Sequence, residues 1–208
     1  MPDAATHPDV KRGFLRSSVA RAGSGLTSLV AWLDSMGVSR RVLFIALVIV
    51  LGLVFMGSLT KRLLFVLLFL FLSSISMIYN RSINVSLGFE FVTFGTIMCG
   101  IVYGPGTAIF VGLIGIFLAE YVGGRMQPHT IISFIGMGFI GFIAHFFAGM
   151  DIRLAGILLV IIYDAIICPL YLIYGSEPAR VALYMVTHWI FNFWLFIAVS
   201  RFVAGVMG

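Results

Sequence analysis

A carboxylate in the middle of an oily run is the residue in this chain best placed to do chemistry. Asp164 lies in "LAGILLVIIYDAIICPLYLIY", with no other charged residue between Arg153 and Glu177. An ionised carboxylate surrounded by hydrocarbon must find a partner, reach water or take a proton. Cys168 stands one helical turn along the same face, and Pro169 frees a backbone carbonyl nearby. Asp164 is expected to serve a substrate, an ion or a proton. The plainer alternative is structural pairing with another helix.

His188 and Asn192 are one helical turn apart in "THWIFNFW". Thr187, Trp189 and Trp194 flank them, so one face offers hydrogen-bonding groups beside large aromatics, as a small-molecule pocket needs. The same pattern also fits polar glue between helices. Glu90, in "LGFEF", either faces the same cavity or sits at headgroup level beside Asn84. Glu120, followed by Tyr121 near its segment's end, reads as an interfacial partner of Arg125 or as the rim of a binding site. His129 and His145 fall near segment ends, where the interface can satisfy them.

Asp164 and His188 could act as acid and base of an intramembrane enzyme, but they belong to different segments and nothing in the sequence joins them. There is no HExxH or other metal spacing, no Walker loop, no dinucleotide fingerprint and no nucleophile elbow. No metal or cofactor is expected, and ATP-driven work would need another subunit. Cys99 and Cys168 are singletons inside apolar segments and read as small buried hydrophobes.

The elements that must position these groups are membrane helices. Of the 208 residues, 61% are hydrophobic and 10% charged, where a soluble domain carries about 25% charged residues. The mean hydropathy is +1.13. Hydrocarbon as solvent lets so many apolar side chains face outward. The expected fold is all-α: a polytopic transmembrane helix bundle with six or seven spans in the cell membrane.

Six cations (Lys11, Arg12, Arg16, Arg21, Arg40 and Arg41) precede the first strong apolar run, a flank that belongs on the cytoplasmic side near anionic lipid. They form no aromatic-interleaved patch, so nucleic acid is not an expected partner. Residues 1–41 make a basic N-terminal arm, whose apolar and basic mixture reads as an interfacial helix interrupted at Gly23–Gly25, or as disorder. No cleavable signal is expected.

Residues 42–208 make the transmembrane domain. Its apolar runs are Val42–Leu59, Leu63–Tyr79, Leu87–Tyr103, Thr107–Val122, Thr130–Ala148, Ile152–Tyr174 and Val181–Ala204. "GSLTKR" is expected to be a turn, because Lys61 and Arg62 would be costly inside the hydrocarbon. "YGPG" stops the third run, and the third and fourth are short enough to form a partly re-entrant hairpin. With seven spans and an inner N-terminus, the six early cations plus Arg81, Arg125 and Arg180 lie inside. Lys61, Arg62, Arg153 and Arg201 lie outside, and nine against four fits the positive-inside rule.

Small residues concentrate in the third to fifth runs: Gly100 and Gly104, Ala108 and Gly112, Gly115 and Ala119, then Gly136, Gly138 and Gly141. These segments should form the tight centre. The bulkier first two are left to lipid or a partner.

The stretch "LGFEFVTFGTIMCGIVYGPGTAIFVGLIGIFLAEYVGG" resembles the substrate-binding membrane subunits of energy-coupling-factor transporters. Gly104–Pro105, the spaced Gly112 and Gly115, and Glu120 carry the likeness, and "THWIFN" is similar to their last helix. The resemblance implies a six-helix subunit that binds a vitamin or metal and docks on a coupling protein and ATPases. The bulky early segments depart from the family's small-residue docking face.

The expected function is a non-catalytic transport subunit that binds a small solute between helices, near Glu90, Glu120, Asp164, His188 and Asn192, with other membrane subunits as partners. The alternative is a structural or assembly subunit of a membrane complex.

Overall fold

The computed structural model describes residues 48–49, 57–83, 87–124 and 126–208. The basic arm, most of the Val42–Leu59 run, Asn84 and Arg125 lie outside the described residues. The chain divides into two units, Met1–Phe55 and Met56–Gly208, and the helices that follow belong to the second.

Helix α1 (Ser58–Ser76) runs into a 3-10 turn at Ile78–Arg81. Next come α2 (Val92–Tyr103), α3 (Pro105–Gly123) and α4 (Thr130–Ile143), the last extended by a 3-10 turn at Ala144–Phe147. Helices α5 (Ile152–Ile173), α6 (Pro178–Ala198) and α7 (Ser200–Met207) complete the unit. Among the described residues, five helical stretches are long and apolar enough to cross a membrane: Ser58–Arg81, Pro105–Gly123, Thr130–Phe147, Ile152–Ile173 and Pro178–Ala198. The protein is a multi-pass helical membrane protein. Its outward faces carry Leu63, Leu67, Phe71, Ile135, Phe139, Ile190 and Ile197, side chains that lipid accepts and water does not.

Several expected boundaries move. The backbone breaks at Gly57 (φ −57°, ψ 154°), and α1 begins at once, so Lys61 and Arg62 sit in the helix's opening turns rather than in a turn before it. Arg62 is not left bare in oil: its guanidinium donates to Thr107 Oγ1 and lies 6.0 Å from the ring centre of Tyr103. The run expected over Val181–Ala204 starts earlier, with Pro178 opening α6, and is divided at Val199.

Helix α2 has 12 residues, roughly 18 Å at 1.5 Å per residue, against a hydrocarbon core of about 30 Å. It survives this shortfall because protein, not lipid, surrounds it: Val92 through Gly100 are all buried. Pro105 opens α3, and Gly104 makes the reversal with φ +88°, a left-handed conformation that glycine adopts without a Cβ clash.

Most of these small residues lie in the packed centre, whereas a Cβ on Gly104 would meet open space and one on Gly138 only a Leu113 methyl at 3.8 Å. A Cβ on Gly141 would lie 2.8 Å from the backbone nitrogen of Ile109, and one on Gly100 would lie 2.5 Å from the Ala144 side chain. Here α2, α3 and α4 approach backbone to backbone and gain dispersion contacts that larger residues would forbid. Helix α1 packs on α2 and α3 through its one buried face, Phe65, Val66, Phe69 and Ser73, with Phe69 against Phe94 and Gly95 of α2.

The end of the bundle that holds Gly57 and Gly104 is tied by polar contacts. Asp151 caps α5 by accepting from the Arg153 amide at 3.0 Å, and it also accepts from the Arg201 guanidinium of α7. The Arg201 hydrogen bond, helped by Arg153, holds the Asp151 carboxyl well below the usual carboxylate range. A depressed carboxylate favours the folded state above its unfolded pKa of about 4, and that contribution fades as pH falls towards the folded value. We expect α7 to loosen only below about pH 4, read as line broadening of the Arg201 guanidinium in a pH-dependent NMR series. An unchanged signal down to pH 2 would remove this tie.

Candidate functional site: a buried carboxylate–imidazole–carboxylate cluster beside a cavity

Three of the expected site residues meet. His188 of α6 is fully buried, and its two ring nitrogens face two carboxylates. Nδ1 lies 2.8 Å from Asp164 Oδ2 on α5, and Nε2 lies 3.1 Å from Glu90 Oε1 just before α2. Asp164 and Glu90 are only 1% and 2% exposed. Asp164 is thus neither at an interface nor alone.

Local backbone chemistry sets Glu90 in place. Residues 87–90 are not helical, so the first amides of α2 lack intrahelical acceptors. Glu90 Oε2 accepts from the Val92 amide at 2.7 Å, both carboxylate oxygens accept from the Thr93 amide, and the Thr93 hydroxyl donates to Oε1. A carboxylate at the positive end of a helix is electrostatically favoured there. Gly88 brings this segment against α6: its amide donates to Thr187 Oγ1 at 2.8 Å.

Aromatic rings enclose the imidazole. Tyr184, one turn before it, stacks at 5.3 Å with an interplanar angle of 13°, and Tyr163 lies 5.7 Å away. Asn192 is fully buried but does not touch the carboxylates; its amide donates to the His188 carbonyl at 3.2 Å. Asp164 Oδ1, Asn192 Oδ1 and Trp189 Nε1 have no hydrogen-bond partner among the described residues.

Hydrogen-bond accounting restricts the charge states. If both carboxylates are ionised, both ring nitrogens must carry hydrogen, and two negative charges enclose one positive. With one further proton the cluster is neutral. Isolated charge is costly at this depth, so the charges of the three groups have to be counted together.

Beside the cluster is a cavity of about 440 Å³. Glu90 is part of its wall, with Glu120, Gln127, His129, Ser133, Tyr171, Tyr174, Glu177, Arg180 and Tyr184. Ser133 and Tyr171 share a 2.6 Å hydrogen bond, and Glu177 pairs with Arg180 at 2.9 Å. His129 sits edge-on to Tyr171 and Tyr174, with ring centres 5.6 and 6.2 Å away. His129, which the sequence places near a segment end, immediately precedes α4 and also borders the cavity. Glu120 lines the cavity apart from the buried cluster, while Asp164, His188 and Asn192 lie behind its wall. The expected site therefore separates into two connected parts, with Glu90 common to both.

Asp164, His188 and Thr93 follow the order of an acid–base–hydroxyl triad, with His188 Nε2 3.2 Å from Thr93 Oγ1. The Thr93 hydroxyl is committed to Glu90 and its residue is fully buried, so no acyl carbon can approach it in this arrangement. The geometry favours binding over nucleophilic catalysis.

Thr93, Tyr184 and Gly88 were not expected in the site. The first two carry a usable signal, since Thr93 is three residues after Glu90 and Tyr184 four before His188. Gly88 carries none, because its partner is 99 positions away. Among the described residues no group of three or more side chains could hold a metal ion. No family model matches the chain, and no curated protein or solved structure matches it.

Proposed function

We propose that this chain is a non-catalytic transport subunit of the cell membrane that binds a small solute between its helices. The cavity carries this reading. Its volume of about 440 Å³ falls within the roughly 300–1,000 Å³ of small-molecule sites, and its lining sets three tyrosines among many polar and charged groups, which suits a polar solute. Glu90 and Glu120 are its solute-facing acids, and Asp164, His188 and Asn192 support the wall from behind.

All the lining residues come from one end of the bundle: the end of α1, the approach to α2, the last turns of α3, the start of α4 and the α5–α6 connection. Helix movement, driven by membrane subunits of the kind that the energy-coupling-factor resemblance implies, would release the solute. The described unit supplies six apolar helical segments if the short α2 is counted, and Val42–Leu59 would make a seventh. With six crossings from an inner start the mouth faces outward; with seven it faces the cytoplasm.

Native mass spectrometry of the gently solubilised chain tests the reading. A small molecule should remain bound, and Glu120→Ala should weaken its retention at least tenfold. A chain that carries no solute but stays tightly bound to other membrane proteins would favour the assembly role instead.

A further inference from the structure

We propose that Glu90, His188 and Asp164 together form a proton-binding site that fills from the cavity, making the proton a second ligand of the proposed solute site. Glu90 is the only one of the three that borders the cavity. Behind it the imidazole and the second carboxylate follow in hydrogen-bond contact, at 3.1 and 2.8 Å. Asp164 ends the row, and its Oδ1 is buried without a partner among the described residues.

A proton from cavity water bonds to the Glu90 carboxylate and takes the cluster from net −1 to neutral. His188 stays an imidazolium, its Nε2–H donating to Glu90 and its Nδ1–H to the Asp164 carboxylate. The O–H bond broken in the cavity's hydronium is matched by the one formed on Glu90, and no other reactant is required. Because Nε2 already carries hydrogen, the row passes the proton no further, so it stores a proton rather than conducting one.

The surrounding ionisable groups are Tyr163 and Cys168 on α5, Tyr184 on α6, and Tyr171 near the end of α5. On the cavity side α3 presents Glu120, His129 precedes α4, and the Glu177–Arg180 pair lies where α6 begins. None of these joins the Glu90–His188–Asp164 row by a hydrogen bond among those formed by its side chains.

The coupling of proton to solute rests on the proposed transport reading, whereas proton uptake itself can be measured with no solute present. The full chain in lipid nanodiscs would be titrated with acid and followed by infrared difference spectroscopy, with circular dichroism as a check that helix content holds. Among the carboxyl bands that rise with acid, the expected result is one reversible band per chain that is lost in Glu90→Gln and in Asp164→Asn but kept in Glu120→Gln and Glu177→Gln. Thr93→Val, which removes one hydrogen bond to Glu90 and leaves both acids, should shift the band and serves if the other variants fail to fold. Absence of the band, or a band unmoved by Thr93→Val and by both acid substitutions, would overturn the proposal. A band that behaves as expected in a chain found to bind no solute would sustain proton storage and refute transport.

Discussion

His188→Ala should be among the most destabilising single substitutions in this chain, lowering stability by about 3–5 kcal/mol. The imidazole is the shared partner of two carboxylates that are almost wholly buried. Without it Asp164 loses its only hydrogen-bonded neighbour among the described residues, and Glu90 keeps the α2 amides and Thr93. Two acids then face a gap where a cation stood, and at least one must be neutralised or hydrated. Unfolding in mixed detergent micelles measures the loss. The triple substitution Glu90→Gln, Asp164→Asn, His188→Ala should recover part of it, because uncharged groups tolerate the site better than unpaired ions. A loss below about 1 kcal/mol for the single change would mean that the cluster does not hold charge as described.

Gly88→Ala should be nearly as severe, although it adds one methyl group to a loop. That carbon would lie 2.3 Å from His188 Cβ and 2.4 Å from both its Cα and its backbone nitrogen. A clash with backbone cannot be relieved by a rotamer change, so the 87–90 segment must lift away from α6. Overpacking usually costs about 1–3 kcal/mol, and here the displacement also breaks the Gly88–Thr187 bond and draws Glu90 from His188. The measurement is the same unfolding titration, joined by infrared titration of the carboxyl groups. A variant of wild-type stability with an unchanged carboxyl spectrum would show that the segment does not dock where it is placed.

The helices were legible in the sequence because length and apolar character alone define a span. Thr130, Ile152 and the break at Gly104–Pro105 lie where the runs and the punctuating residues put them. Lys61 and Arg62 misled in an instructive way: their cost in hydrocarbon argued for a turn, but Thr107 and Tyr103 take up Arg62 within the fold. No local pattern reveals such a partner 45 positions away. Asp164, Glu90 and His188 were individually visible as polar residues in apolar runs. Their meeting was not, because it depends on how α5, α6 and the approach to α2 pack. The cavity was less visible still: Ser133, Tyr171 and Arg180 are ordinary residues one at a time and become a lining only through the arrangement of six helix ends.

The two ends of the bundle differ in a way that bears on any traffic through it. At one end lies the cavity; at the other, Arg62 is bound to Thr107, the Tyr103 hydroxyl donates to the Met207 carbonyl at 3.2 Å, and Asp151 is held by Arg201. Among the described residues of Met56–Gly208, the cavity and the clasps thus lie at opposite ends. Under the proposed transport role, a solute held in the cavity would leave through the clasped end only once those contacts were unfastened, or by the mouth it entered once the unit was tipped within the bilayer.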